Sequence, residues 1–222
     1  MKPSKARSAL ASVLLALFLL TAAIAVPILS RPFYYAQIGS LHLVEATGWD
    51  EATIRGAYDQ VMDYLVGGAP FGTGALKWSA SGMAHFADCR VLFRLDFALL
   101  GASAAGLLLL AVLQRVGRRP LHRFGGRGPA FWALVGMSAV FLALLCWALL
   151  DFEGLFTAFH TVFFPGKTNW IFDWRTDEII LILPEAFWAR CGAAVAALAF
   201  GGGLLLTAAD ELHHRRRAAK GL

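Results

Sequence analysis

The chain has 222 residues, 58% of them hydrophobic and 16% charged, with a formal net charge of +5. That apolar share exceeds the share in an ordinary soluble domain, and it is gathered into long runs, so a purely water-soluble fold is excluded. The positive charge is segregated along the chain instead of spread over one basic face, which points to membrane topology and away from nucleic acid.

In chain order, residues 1–7 form a basic start with Lys2, Lys5 and Arg7. Residues 8–29, Ser8 to Leu29, then supply the roughly 20 apolar residues that a membrane-crossing helix needs. A cleaved signal peptide is the rival reading, since Ala23-Ile24-Ala25 resembles a cleavage site behind a basic n-region. The run continues past Ala25 to Leu29, which is long for such a segment, and cleavage would leave the remaining topology unchanged.

Residues 30–90 are polar enough to form a cap segment. Within it Thr47-Gly-Trp-Asp50 reads as a capping box, and Ile54, Ala57, Val61 and Leu65 follow at helical spacing until Gly67-Gly68. Residues 91–113 are the second predicted span. Residues 114–129 form a loop bearing Arg115, Arg118, Arg119, Arg123 and Arg127, and residues 130–150 are the third span.

Residues 151–183 are crowded with Phe152, Phe156, Phe159, Phe163, Phe164, Trp170, Phe172 and Trp174, for which an aromatic belt at the membrane interface is the simplest reading. Residues 184–207 are the fourth span, with Pro184 expected in its first turn and Glu185 at the positive end of the helix dipole. Gly192, Ala193, Ala194, Ala196, Ala197 and the Gly201 to Gly203 run offer small surfaces for helix contact. The tail, residues 208–222, carries Arg215, Arg216, Arg217 and Lys220.

Most basic residues thus fall on one side of the predicted spans, and the carboxylates from Glu45 to Glu185 fall on the other. By the positive-inside rule both termini are expected in the cytoplasm, with the cap segments outside. The expected architecture is an all-α membrane protein of four transmembrane helices with a small helical extracytoplasmic cap.

Chemistry has few places to reside. Cys89, Cys146 and Cys191 lack metal-ligand spacing, and Cys146 falls in an apolar run where it packs as a small hydrophobe. Cys89 and Cys191 share the outer side, which leaves a disulfide between them open. There is no Gly-x-Ser-x-Gly elbow, zinc-protease motif, Walker loop or dinucleotide fingerprint.

Ser79-Ala-Ser81-Gly-Met-Ala-His85-Phe-Ala-Asp88-Cys89-Arg90 leads into the second span. His85, Asp88 and Cys89 would share one helical face, where Asp88 could orient the imidazole. The plainer reading is a helix entry capped by Ser79 or Ser81, with its charges solvated. Arg94 and Asp96 lie deeper, where an ionisable group needs a partner or a wet cavity, although Arg94 could snorkel.

His160 sits in an apolar stretch. With His85 it could form an acid–base pair, because an imidazole takes and returns a proton near neutrality. His42 has no evident partner. His122, His213 and His214 lie among arginines, where anionic lipid headgroups account for them.

The stretch Ser79-Ala-Ser-Gly-x-x-His85-Phe-x-x-x-Arg90-x-Leu-Phe93 resembles the outer-loop motif of bacterial lipoprotein intramolecular transacylases. Phe159-His160-x-x-Phe-Phe164, Asn169-Trp170-x-Phe-Asp173, Asp177 and Pro184-Glu185-x-Phe187-Trp188 resemble that family's other motif in order and spacing. The resemblance implies that the sn-2 acyl chain of a lipoprotein's diacylglyceryl-cysteine moves to that cysteine's α-amine, giving a lyso-form N-acyl lipoprotein.

It further implies His85 and His160 as catalytic residues, with Ser79, Ser81, Arg90, Asn169, Trp170 and Glu185 binding substrate. No metal, nucleotide or other cofactor is implied. The expected partners are the diacylglyceryl lipoprotein and membrane lipids, with no nucleic acid, and the expected location is the bacterial cytoplasmic membrane with the site on its outer face.

On that reading His160 is the base for the amine, and His85 donates to the leaving glycerol oxygen or stabilises the oxyanion. The opposite assignment and an acyl-histidine intermediate stay open, as does the oligomeric state. A non-catalytic envelope scaffold is the alternative function. A transporter ranks third, since the deep interior of the three spans other than the second lacks charges and broken-helix signals.

Overall fold

The architecture comes from a computed structural model that describes residues 3–117 and 120–219. Lys2, Arg118, Arg119 and Lys220 of the basic clusters lie outside the described residues. The helices in chain order are α1 (Lys5–Leu29), α2 (Arg31–Ser40), α3 (Leu43–Thr47), α4 (Glu51–Met62), α5 (Ala80–Gly117), α6 (Pro129–Leu150), α7 (Phe152–Phe163) and α8 (Glu185–Ala219). Four of them, α1, α5, α6 and α8, are long and apolar enough to cross a membrane. Leu108, Leu142, Leu149 and Leu205 stand more than half exposed on them, which suits contact with lipid. The protein is an all-α membrane protein.

Several helices outlast the apolar runs that signal them. Helix α5 starts at Ala80, eleven residues ahead of the apolar run, because Ser79 caps it and no proline interrupts the chain before Gly117. The cap of α4 is Asp50, whose carboxylate accepts from the Thr53 amide at 2.7 Å. Thr47 instead ends α3, its hydroxyl donating back to the Leu43 carbonyl, so the capping-box reading is off by one helix. Pro184 stands just before α8, and its carbonyl accepts from the Phe187 amide.

The chain divides into two compact units. One is drawn from Met1–Ile24, Phe97–Trp147 and Val195–Leu222. Its helices approach through small residues: a Cβ on Gly106 would lie 3.0 Å from Leu14, one on Gly202 would lie 2.9 Å from Leu19, and one on Gly203 would lie 2.8 Å from Leu134. Without a hydrophobic drive between helices in lipid, such close approach supplies the attraction. Gly201 has open space where a Cβ would go, so only part of the triple-glycine run is a packing surface. Arg123 in the loop after α5 pairs with Asp210 at 2.8 Å and with Glu211 of α8, and the His122 amide donates to the buried Ser8 hydroxyl at 2.7 Å.

The other unit is drawn from Ala25–Asp96 and Ala148–Ala194. Its core is Tyr34, Ile38, Leu43, Ile54, Tyr58, Val61, Ile179, Ile182 and Phe187. Fully burying one such aliphatic side chain is worth about 1.5–3 kcal/mol. Tyr34 stacks on Tyr58 with ring centroids 3.7 Å apart, and its hydroxyl donates to the Ile182 carbonyl at 2.9 Å. Arg31 bridges α2 to Asp59 and Asp63, both at 2.7 Å. The unit also holds α7 and a 3-10 turn, Glu178–Ile182, in the stretch that reads from composition as an aromatic loop.

Candidate active site

Helix α5 begins with a clamp between distant segments. The Ser79 hydroxyl accepts from the Gly82 amide at 3.0 Å, capping the helix, and donates to the Asp177 carboxylate at 2.8–2.9 Å. Asp177 also accepts from the Ser79 amide at 2.8 Å and from Thr176. Asp177 is only 4% exposed, so these bonds are what make its burial affordable. Gly82 leaves room for the clamp, since a Cβ there would lie 2.1 Å from Asp177 and 3.0 Å from Phe172.

One turn later His85 points into a wall of rings. It is 6% exposed and lies 5.0 Å from Phe164 and 5.4 Å from Phe172, both edge-on. Helix α7 brings in His160, 7% exposed, with its ring centroid 5.9 Å from that of His85. Trp170 stacks on His160 at 4.5 Å and Phe156 lies at 4.2 Å. Two imidazoles 75 residues apart in sequence are thereby brought together, sheltered from water by aromatic faces.

A hydrogen bond fixes the tautomer of His160. His160 Nδ1 lies 2.7 Å from the Phe156 carbonyl. A carbonyl can only accept, so Nδ1 carries the proton and Nε2 carries the lone pair. Burial among the rings holds the His160 pKa below its ordinary 6.5, with the Phe156 bond opposing the shift. His160 is therefore neutral near pH 7, with a lone pair on Nε2 that could accept a proton. His85 Nε2 contacts Cys89 Sγ at 3.4 Å, while its Nδ1 is buried with no partner among the described residues.

The expected His85–Asp88 pair does not form. Asp88 turns to the loop after α7, where it pairs with Lys167 and accepts from Asn169 Nδ2 at 3.1 Å. The lysine tether wins because it joins opposite charges, whereas the imidazole one turn back is buried among rings. Asn169 Oδ1 is left buried without a partner among the described residues. Trp170 donates its indole N–H to the Lys167 carbonyl at 3.0 Å, which fixes the ring that stacks on His160.

Arg90 holds its guanidinium 4.8 Å from the Tyr64 ring centroid, with Nε buried and without a partner among the described residues. Ser81 and Glu185 are exposed, and neither makes a side-chain hydrogen bond to the described residues. Asp96 is 9% exposed, with Oδ2 unpartnered, whereas Arg94 is exposed. The cysteines are free, so Cys89 and Cys191 form no disulfide. Among the described residues no three His, Cys, Asp or Glu side chains converge in a way that could hold a metal ion. Such an arrangement can move a proton and stabilise a developing oxyanion.

The aromatic loop is thus two populations. Phe156, Phe159, Phe163 and Trp174 are exposed, as belt rings would be, whereas Phe164 is buried, and it and Phe172 wall the site. The sequence places Cys89 on the helical face of His85 and Phe164 in the stretch that carries His160, whereas Lys167 gives no local signal, because tertiary contact alone brings it to Asp88.

Three solved structures match the fold, all of the membrane integral lipoprotein intramolecular transacylase Lit from Bacillus cereus. The first has a TM-score of 0.83 at 20% identity, covering 96% of each chain. Two others, carrying a histidine-to-alanine and a histidine-to-arginine substitution, score 0.80 at 20% identity; each covers 96% of this chain and 94% or 93% of its own. Direct comparison with curated proteins gives no match. The family model for the lipoprotein intramolecular transacylase Lit matches residues 9–188. With the match running from the first span through both histidine-bearing stretches, the chain belongs to the lipoprotein intramolecular transacylase family.

Proposed function

We propose that the protein transfers the sn-2 acyl chain of a membrane lipoprotein's diacylglyceryl-cysteine to the α-amine of the same cysteine, giving a lyso-form N-acyl lipoprotein. The observation that carries this reading is the sheltered His85–His160 pair, with ring centroids 5.9 Å apart. Both reacting groups belong to one molecule, so the site must position them and move one proton, and needs no second substrate.

His160 Nε2 takes the proton of the attacking amine as its nitrogen bonds to the ester carbonyl. The developing oxyanion accepts from His85 Nδ1. Collapse of the tetrahedral intermediate breaks the carbonyl–oxygen bond, and His160 returns its proton to the leaving glycerol oxygen. Trp170 orients the His160 ring, Asn169 holds the loop to Asp88, and Arg90 faces the lipid ester or an anionic group beside it. Ser79 acts at one remove, by starting α5 where His85 enters the ring wall, and Ser81 and Glu185 remain at the exposed edge to meet the substrate's polypeptide.

The site lies on the outer face of the cytoplasmic membrane with both termini inside, a placement supported by the basic loops at Arg123 and Arg127 and at Arg215 to Arg217. Ala75→Cys is then expected to react with a membrane-impermeant thiol reagent in intact cells and Leu212→Cys only after permeabilisation. The reverse pattern overturns the topology.

Mass spectrometry of lipoproteins from cells that depend on this protein tests the chemistry. Loss of the base in His160→Ala is expected to lower N-acyl product by about 10²–10⁴-fold. Loss of the oxyanion donor in His85→Ala is expected to cost about 10²–10³-fold. Unchanged product in both variants refutes the reading and leaves a scaffold.

A further inference from the structure

Among the described residues, the side-chain hydrogen-bond contact of His85 is Cys89, with Sγ 3.4 Å from Nε2. The rings of Phe86, Phe164, Phe172 and His160 also lie against that imidazole. The remaining nitrogen, Nδ1, is buried with no partner among the described residues, in a side chain only 6% exposed, so it faces a place where a polar ligand atom belongs.

Which nitrogen of His85 bears the proton is set by what the other one meets. Were Nε2–H to donate to sulfur, Nδ1 would present a lone pair. His160 already presents one on Nε2, because its Nδ1–H is committed to the Phe156 carbonyl. The site would then hold two acceptors and no donor for an oxyanion. A thiol is protonated near neutrality, since a free cysteine has a pKa of about 8.5. With S–H donating to Nε2, the His85 proton is confined to Nδ1, and the pair becomes one acceptor and one donor.

We propose that Cys89 is a positioning residue of the transfer reaction: its S–H donates to His85 Nε2 and keeps the imidazole proton on Nδ1, where it meets the oxyanion. This rests on the acyl-transfer reading above. No bond is made or broken at sulfur, and its proton stays on the thiol throughout.

The test uses full-length protein with nitrogen-15 histidine in lipid nanodiscs, with His85→Asn to assign the His85 signals, and a synthetic diacylglyceryl lipopeptide as substrate. Wild-type His85 is expected to be protonated at Nδ1 and bare at Nε2. Cys89→Ala is expected to lose that preference and about tenfold in kcat, with KM little changed, a loss typical of removing a partner that orients a histidine. Cys89→Ser keeps a donor and is expected to restore both the tautomer and most of kcat.

Wild-type His85 protonated at Nε2 overturns the proposal, as does Cys89→Ala with tautomer and kcat unchanged. A wild-type protein that leaves the lipopeptide untouched refutes the acyl-transfer reading instead, and the ring-nitrogen signals still decide the role of the thiol.

Discussion

His160 shows how much one hydrogen bond can decide. Its bond to Phe156 lies within a single turn of α7 and leaves the lone pair on Nε2 free, while burial keeps the ring below its ordinary pKa of 6.5. In the proposed role of base it is active when neutral, so activity is expected to fall as pH drops through the His160 pKa. The acid side of the kcat/KM profile is expected to show two ionisations: the substrate amine at about 8, and His160 below 6.5. A lower break at or above 6.5, or one that persists in His160→Asn, would contradict the assignment. At Gly82 an added methyl meets Asp177 at 2.1 Å. Gly82→Ala is expected to dislodge Asp177 from Ser79, cost about 1 kcal/mol of capping and lower turnover, measured by thermal unfolding in detergent and by lipopeptide assay. Unchanged Tm and turnover would count against the clamp. His160 stands out in the sequence because it sits in an otherwise apolar stretch, and His85 because Asp88 and Cys89 share its helical face. Asp88 is misleading there, since its partner Lys167 lies 79 residues away and helical spacing cannot reveal it.

Among the elements, α5 and α7 are legible to different degrees. The 38 residues of α5 announce themselves through a long apolar run behind a serine cap. The 12 residues of α7 are obscured by Phe and Thr, which have modest helix propensity, although Asp151 caps the helix by accepting from the Gly154 amide at 2.8 Å. What joins the loop after α7 to α5 is the Asp88–Lys167–Asn169 tie. The Lys167 side chain is about half exposed, so the tie adds less than about 1 kcal/mol of stability. Its value is geometric, because the same loop carries Trp170 onto His160. Asp88→Ala is therefore expected to reduce turnover severalfold while Tm moves little; equal loss of both would make it merely structural. In the same unit Tyr34 links α2 to the 3-10 turn through the Ile182 carbonyl. Tyr34→Phe leaves that carbonyl unpaired and is expected to cost about 1–3 kcal/mol in chemical unfolding. A Tyr34→Phe protein as stable as wild type would show that another donor replaces the hydroxyl.

For the molecule as a whole, hydropathy and charge asymmetry were enough to count four spans, because lipid permits only helices in runs of this length. The short helices α2 and α3 left no such trace, being mixed in composition and held by long-range contacts such as the Arg31 bridges to Asp59 and Asp63. Helix α7 carries a consequence for the working enzyme. Phe156, Phe159, Val162 and Phe163 stand 38–72% exposed on the same short helix that bears the base. Exposed side chains of this kind suit contact with the membrane interface, which would make the surrounding bilayer the outer wall of the element that carries His160. The amphiphile is in effect a structural subunit: turnover is expected to rise when the purified protein passes from short-chain micelles into nanodiscs, while the four long helices keep the same helical content by circular dichroism.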